Sequence, residues 1–168
     1  MLEKKTRIIA VANHKGGCGK TTTVVNLAAE LAKLGLSVLV IDLDPQANAS
    51  LHIGKHHPSE VNVTIADLLL SEPEKLPLAI HEETHIEGVA LIYGSLALGM
   101  AEDKIKDEAP RPSEELRDKI SPLMGLYDLI LIDCPPSLKL LTSNALAAAT
   151  DLIIPIESGS QYGMYGVT

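Results

Sequence analysis

Nine consecutive residues, His14 to Thr22 (HKGGCGKTT), have the side chains and backbone freedom needed to hold a chain of phosphates. Glycines let backbone N–H groups approach an anion closely, a lysine adds charge, and a hydroxyl offers a ligand to a divalent cation. Gly16, Gly17 and Gly19, then Lys20 and Thr21, supply these parts in order. The strict GxxxxGK[ST] template fails by one residue, because His14 stands where its first glycine belongs. An additional lysine, Lys15, precedes the glycine pair instead. Asp133 closes an apolar run and is followed by Cys134-Pro135-Pro136-Ser137, a position from which a carboxylate holds Mg²⁺, usually through water. Asp42 and Asp44 close a second apolar run. A single carboxylate at a strand end can be a solvated turn residue, but three of them converging on one phosphate-binding turn read as a nucleotide site. A glycine-rich turn that merely starts a helix would need Lys20, Thr21 and both flanking elements to coincide by chance.

The elements that must position these residues follow from hydropathy patterning. RIIAVA, residues 7–12, is a short apolar run that reads as a buried strand. Val24, Val25, Leu27, Ala28, Leu31 and Leu34 recur at helical spacing over 21–34, with Gly35 at the C-terminal cap. SVLVI, residues 37–41, completes a βαβ unit. Residues 45–58 read as a polar loop, with His52, His56 and His57 as surface residues lacking metal-ligand spacing. A short helix is expected over 62–70, with Thr64 as N-cap and Asp67 in its first turn. Residues 71–85 read as a surface connection, 89–93 as a weaker strand, 101–111 as a charged solvated stretch, and 112–124 as an amphipathic helix that Pro122 ends early. LYDLILI, residues 126–132, is a third clear strand, followed by a helix over 137–149 and a final strand over 151–156. The expected architecture is an α/β fold, mostly parallel and flanked by helices, in one domain over 1–168.

Composition narrows the classes. The 168 residues are 46% hydrophobic and 21% charged, too apolar for a disordered chain. No apolar run approaches the roughly 20 residues that span a bilayer. Only 2% are aromatic, so the core must come from Leu, Ile, Val and Ala, which favours helices on parallel strands over a β-sandwich. Two cysteines make no disulfide framework, and the first residues contain no apolar leader segment, so a cytoplasmic protein is expected. A net charge of −8 argues against a strong nucleic-acid footprint within these residues. A doubly wound sheet ending soon after a strand lacks that strand's cover, so a longer natural domain continuing past Thr168 is expected, with another loop and helix beginning after Glu157.

The strings KGGCGKTT, VLVIDLDPQANAS and YDLILIDCPPSLKLLTSNALAAATDLIIPI resemble the ParA/Soj family of chromosome- and plasmid-partitioning ATPases, P-loop NTPases of the deviant Walker A group that includes MinD. The resemblance is close over 7–52 and 125–157 and loose between them, chiefly through GSLALGMAE. Asp44-Pro45-Gln46 is the form that distinguishes ParA/Soj within the group.

The resemblance implies an ATP- and Mg²⁺-dependent hydrolase. ATP would be held by Lys15, Gly16, Gly17, Cys18, Gly19, Lys20, Thr21 and Thr22. Lys20 would contact the β- and γ-phosphates. Thr21, Asp42 and Asp133 would serve the metal, and Asp44 would orient the attacking water. Lys15 would reach into the partner's site across an ATP-bridged homodimer, acting as an arginine finger does. Switch loops would lie at Pro45 and Gln46 and at Pro135 and Pro136. The implied function is segregation of chromosome or plasmid DNA. A nucleoid-associated dimer would bind DNA without sequence preference, through residues largely beyond Thr168, and a ParB-like protein would stimulate hydrolysis. The alternatives are a MinD-like positioning ATPase on a membrane or protein scaffold and an inactive nucleotide-binding docking module. Two residues depart from the family: His14, expected to pack against the sheet, and Cys18, a tolerated loop substitution beside a helix N-terminus where redox sensitivity is chemically conceivable.

Overall fold

The computed structural model describes residues 5–71 and 73–157. The loop and helix expected after Glu157 lie outside the described residues. Six strands form one sheet in the order β3-β4-β2-β5-β1-β6. They are β1 (Arg7–Val11), β2 (Val38–Asp42), β3 (Ile80–His81), β4 (Val89–Ile92), β5 (Leu129–Asp133) and β6 (Asp151–Ile153). All neighbouring pairs are parallel except β3 with β4. The helices are α1 (Lys20–Lys33), α2 (Asn48–Ile53), α3 (Ile65–Leu69), α4 (Leu76–Ala79), α5 (Leu98–Glu108), α6 (Glu115–Ile120) and α7 (Leu140–Ala148).

Strand alternation sends side chains to two apolar layers. Ile9, Val11, Val40 and Leu131 pack on one face with Val24 and Ala28 of α1 and Ala49 and Ile53 of α2. Ile8, Ala10, Ile41 and Ile132 pack on the other face, against α3, α5, α6 and α7. Residues of β2 and β5 are buried throughout, which is why both strands read as continuous apolar runs and not as alternating ones. A fully buried Leu or Ile contributes roughly 1.5–3 kcal/mol relative to an exposed one. No helix of the described residues is long and apolar enough to cross a membrane.

Four expectations need correction. The loop expected over 45–58 contains α2, because Ala49 and Ile53 on one side of that short turn are buried. The stretch expected to be solvated over 101–111 belongs largely to α5, whose Leu98, Ala101 and Ile105 face the core while its charged residues, the half-buried Glu102 apart, face water. The surface connection over 71–85 includes α4 and the antiparallel edge strand β3. His14 is exposed, because β1 ends at Val11 and the chain has left the sheet by that point. The cap at Thr64 is present: its backbone N–H and its hydroxyl both donate to Asp67 Oδ2 at 2.8 Å.

Candidate nucleotide site

Parallel register decides what meets at the carboxyl edge of the sheet. β5 lies between β1 and β2, with Val11 beside Asp133 and Asp133 beside Asp42. The glycine-rich turn after β1 is therefore delivered next to Asp133, with Asp42 one strand further along. Gly17 and Gly19 adopt φ of 73° and 87°, left-handed values that disfavour any side chain, and Gly19 is the N-cap of α1. A Cβ built on Gly16, Gly17 or Gly19 would meet nothing within 4 Å, so this backbone faces open space. The space is a cavity of about 470 Å³, lined by the three glycines, Lys20, Thr21, Thr22 and, from other elements, Asp44, Gln46 and Pro136.

Lys20 is 7% exposed, and its Nζ donates to the Lys15 carbonyl at 3.1 Å. The Thr21 hydroxyl donates to Asp133 Oδ2 at 2.7 Å. Asp133 Oδ1 is buried and has no hydrogen-bond partner among the described residues. Leaving a buried acceptor unpaired costs roughly 1–3 kcal/mol, so this atom, behind the cavity-lining Thr21, calls for a partner from outside the chain. Burial pushes the Asp133 carboxyl up to about 7, with the charges of Asp42 and Asp44 adding to the shift and Thr21 and Lys20 opposing it. The arrangement suits a cation. Thr21, which lines the cavity, and Asp133, buried directly behind it, bring adjacent oxygens together, the sparse protein oxygen set that Mg²⁺ takes when phosphates and water supply the rest.

Asp44 is 7% exposed, and its Oδ1 accepts from the Gln46 N–H at 2.9 Å. Asp42 is fully buried, and burial raises it to about 6 against the opposing hydrogen bonds from Ser50. Protein donors engage both of its oxygens: the Asp44 N–H at Oδ1, and the Ser50 N–H and hydroxyl at Oδ2. Asp42 thus stands beside Asp133 in the sheet, yet it differs from Asp133 in having no vacant oxygen. Ala47, after the Asp44 turn, has φ of 52°, the only positive φ at a non-glycine among the described residues. Such a conformation costs on the order of 1 kcal/mol and persists where its surroundings over-determine it.

Lys15 and Cys18 do not line the cavity. The Lys15 ammonium donates to Glu157 Oε2 at 2.6 Å, which holds the Glu157 carboxyl below its usual range. The Cys18 thiol donates to the Lys15 carbonyl at 3.2 Å. Both cysteines are free, and burial pushes the Cys134 thiol up to about 12. Pro136 and Gln46 line the cavity, whereas Pro45 borders a separate groove and Pro135 is buried. Sequence reasoning missed Asn26, Asn48 and His52 in the lining. Asn48 and His52 lie on α2, and without that helix nothing in their spacing points to the cavity.

The AAA domain family matches residues 6–168. Among curated proteins, the chain is 42% identical over 167 residues to the chromosome-partitioning ATPase Soj of Thermus thermophilus, covering 99% of this chain and 61% of that protein. It is 38% identical over 164 residues to the sporulation initiation inhibitor protein Soj of Bacillus subtilis, covering 96% and 62%. The chain spans about 60% of the length of the curated relatives it matches. Among solved structures, cobyrinic acid a,c-diamide synthase of Mycobacterium smegmatis with bound ADP and magnesium superposes with a TM-score of 0.86 at 38% identity, covering 96% of this chain and 64% of that one. The septum site-determining protein MinD of Pyrococcus horikoshii, complexed with Mg-ADP, gives 0.72 at 34% identity, covering 90% and 58%.

Proposed function

The chain belongs to the AAA domain family, its ParA/Soj resemblance holds at 38–42% identity over most of its length, and on that premise we propose that it is the nucleotide-binding core of a partitioning ATPase. The reading is an ATP-driven dimerisation switch with weak hydrolysis. One observation carries it: the Thr21–Asp133 pair, with its vacant buried oxygen, beside a left-handed glycine turn opening on Lys20. When bound, Mg-ATP would supply the anhydride to be cleaved and a divalent charge to offset that of the phosphates. The residues around it have separable tasks. The Gly16–Thr22 backbone and the Lys20 ammonium bind the phosphates, for which Lys20 must leave the Lys15 carbonyl. Thr21 and Asp133 would hold the metal. Asp44 orients water toward the terminal phosphate from the cavity wall.

Lys15 acts in trans in this reading. Its ion pair with Glu157 is solvent-exposed, and such pairs are worth about 0–1 kcal/mol, so a partner subunit's phosphates can compete for the ammonium. Hydrolysis then depends on dimerisation. DNA binding without sequence preference and stimulation by a ParB-like protein complete the partitioning cycle. ATP turnover measured against protein concentration, with and without DNA, tests the reading. A rate per subunit that rises with concentration and responds to DNA supports it, and turnover indifferent to both sinks it. Likeness to MinD favours a second reading, a positioning ATPase on a membrane or scaffold. Co-sedimentation with anionic vesicles in place of DNA would select that one.

A further inference from the structure

At the carboxyl end of β2 a closed hydrogen-bond circuit links three segments that are distant in sequence. The Ser50 hydroxyl donates to Asp42 Oδ2 at 2.7 Å and accepts from the Gly94 N–H at 2.9 Å. The Ser50 N–H donates to the same carboxylate oxygen at 2.8 Å, while Asp42 Oδ1 accepts from the Asp44 N–H at 3.2 Å. Gly94, just past β4, lies so close that a Cβ there would stand 2.9 Å from Asp42 Cγ and 3.0 Å from the Asp44 carbonyl oxygen. One serine hydroxyl therefore ties the first turn of α2 to β2 and to the end of β4. Between Asp42 and Ser50 runs the turn that carries Asp44, including the left-handed Ala47, whose N–H donates to the Asp44 carbonyl at 2.9 Å.

We propose that Ser50 is a positioning residue for hydrolysis: its hydroxyl, clasped between the Asp42 carboxylate and the Gly94 amide, holds the Asp44 turn in the pose that presents its carboxylate to the phosphate cavity. The assignment rests on the ATPase reading above, and it changes the task of Asp42 from serving the metal to bracing the turn. Ser50 is completely buried and does not line the cavity, so it touches neither nucleotide nor water there. It acts through Asp44. The hydroxyl is the bond that ties this strained turn to the end of β4, and losing it matters because displacing a reacting group by about 1 Å costs on the order of 100-fold in rate.

The test uses Ser50→Ala, with Ser50→Thr as the variant that keeps the hydroxyl. In Ser50→Ala, kcat is expected to fall on the order of 100-fold while KM stays within about threefold of the parent. Combined with Asp44→Ala, it is expected to add no further loss to the residual single-turnover rate. Ser50→Thr is expected to recover most of the turnover. Amide hydrogen exchange on the nucleotide-free protein is expected to quicken about tenfold at residues 47–51 in Ser50→Ala, with β1 and β5 unchanged. An unchanged kcat, an additive loss in the double variant, or unchanged exchange over 47–51 overturns the assignment. Absence of turnover in the parent protein removes the ATPase reading alone, and the exchange measurement still decides whether Ser50 holds the turn. Global unfolding of both Ser50 variants makes the residue one of the fold and also overturns it.

Discussion

The two ends of the sheet both offer cavities, and they differ in whether their polar groups are finished. At the amino ends of the strands, Asp128 Oδ2 accepts from the Ser37 N–H and hydroxyl at 2.8 Å each. There Thr6 Oγ1 donates to the Tyr127 carbonyl and accepts from the Gly125 N–H, and the Tyr127 hydroxyl donates to Glu82. Two cavities of about 540 Å³ open there, each larger than the 470 Å³ cavity at the opposite end. Among the described residues, only the carboxyl end combines left-handed glycines, a nearly buried ammonium and a carboxylate oxygen without a donor. Volume does not distinguish a site from a surface hollow here. A buried carboxylate oxygen left without a donor beside an ammonium does, because the penalty of an unpaired charged acceptor is relieved when a ligand completes it.

That contrast can be broken at either end. The largest effect is expected from Asp44→Ala, which should retain nucleotide binding while turnover falls roughly 10²–10⁴-fold. Equal loss of binding and turnover would remove its water-orienting task. Second is pH. The Asp133 carboxyl rises from an ordinary 3.8 to about 7 on folding, so the folded chain binds a proton more tightly than the unfolded chain does. The stability this contributes is fully present below pH 3.8 and is lost as pH rises through about 7, on the order of 4 kcal/mol in total. Asp42, raised to about 6, adds in the same direction over a lower window. Thermal melts of the nucleotide-free protein between pH 5 and 8 should show Tm falling as pH rises, with the slope reduced in Asp133→Asn. A slope unchanged in that variant would locate the titration elsewhere.

Third, Lys20→Ala should weaken nucleotide binding on the order of 100-fold, the worth of one charge-assisted contact to phosphate, as read by titration with a fluorescent nucleotide. The smallest effect belongs to the finished end. Asp128→Ala should lower unfolding free energy by roughly 1–3 kcal/mol in urea titrations and leave nucleotide affinity unchanged. A shift in affinity there would show that the two ends are coupled.

Much of the carboxyl end was legible from residue order. Strong apolar runs, the glycine turn and the aspartates that close β2 and β5 are local features, and each stands where hydropathy and spacing place it. What escaped was non-local or weakly periodic. The core face of α5 consists of Leu98, Ala101 and Ile105 among charged neighbours, which dilutes its amphipathic signal. In α2, six residues give too few turns for a helical period to emerge. The contact between Ser50 and Gly94 spans 44 positions in the chain and is created only when β4 settles against β2. The protein donors that engage Asp42 escaped for the same reason: a carboxylate at a strand end looks the same in sequence whether protein donors or a metal will complete it.

The side-by-side pairing of Asp42 with Asp133 works like the marks on a vernier scale. Alternation along a strand has a period of two residues, so a slip of one position turns every side chain of that strand toward the opposite layer. A one-residue deletion within 129–132 would leave Asp133, the glycine turn and Asp42 all in the chain, yet would move Asp133 out of line with both or drive Ile130 and Ile132 out of their layer. The site is thus encoded as much by the number of residues in β5 as by their identities.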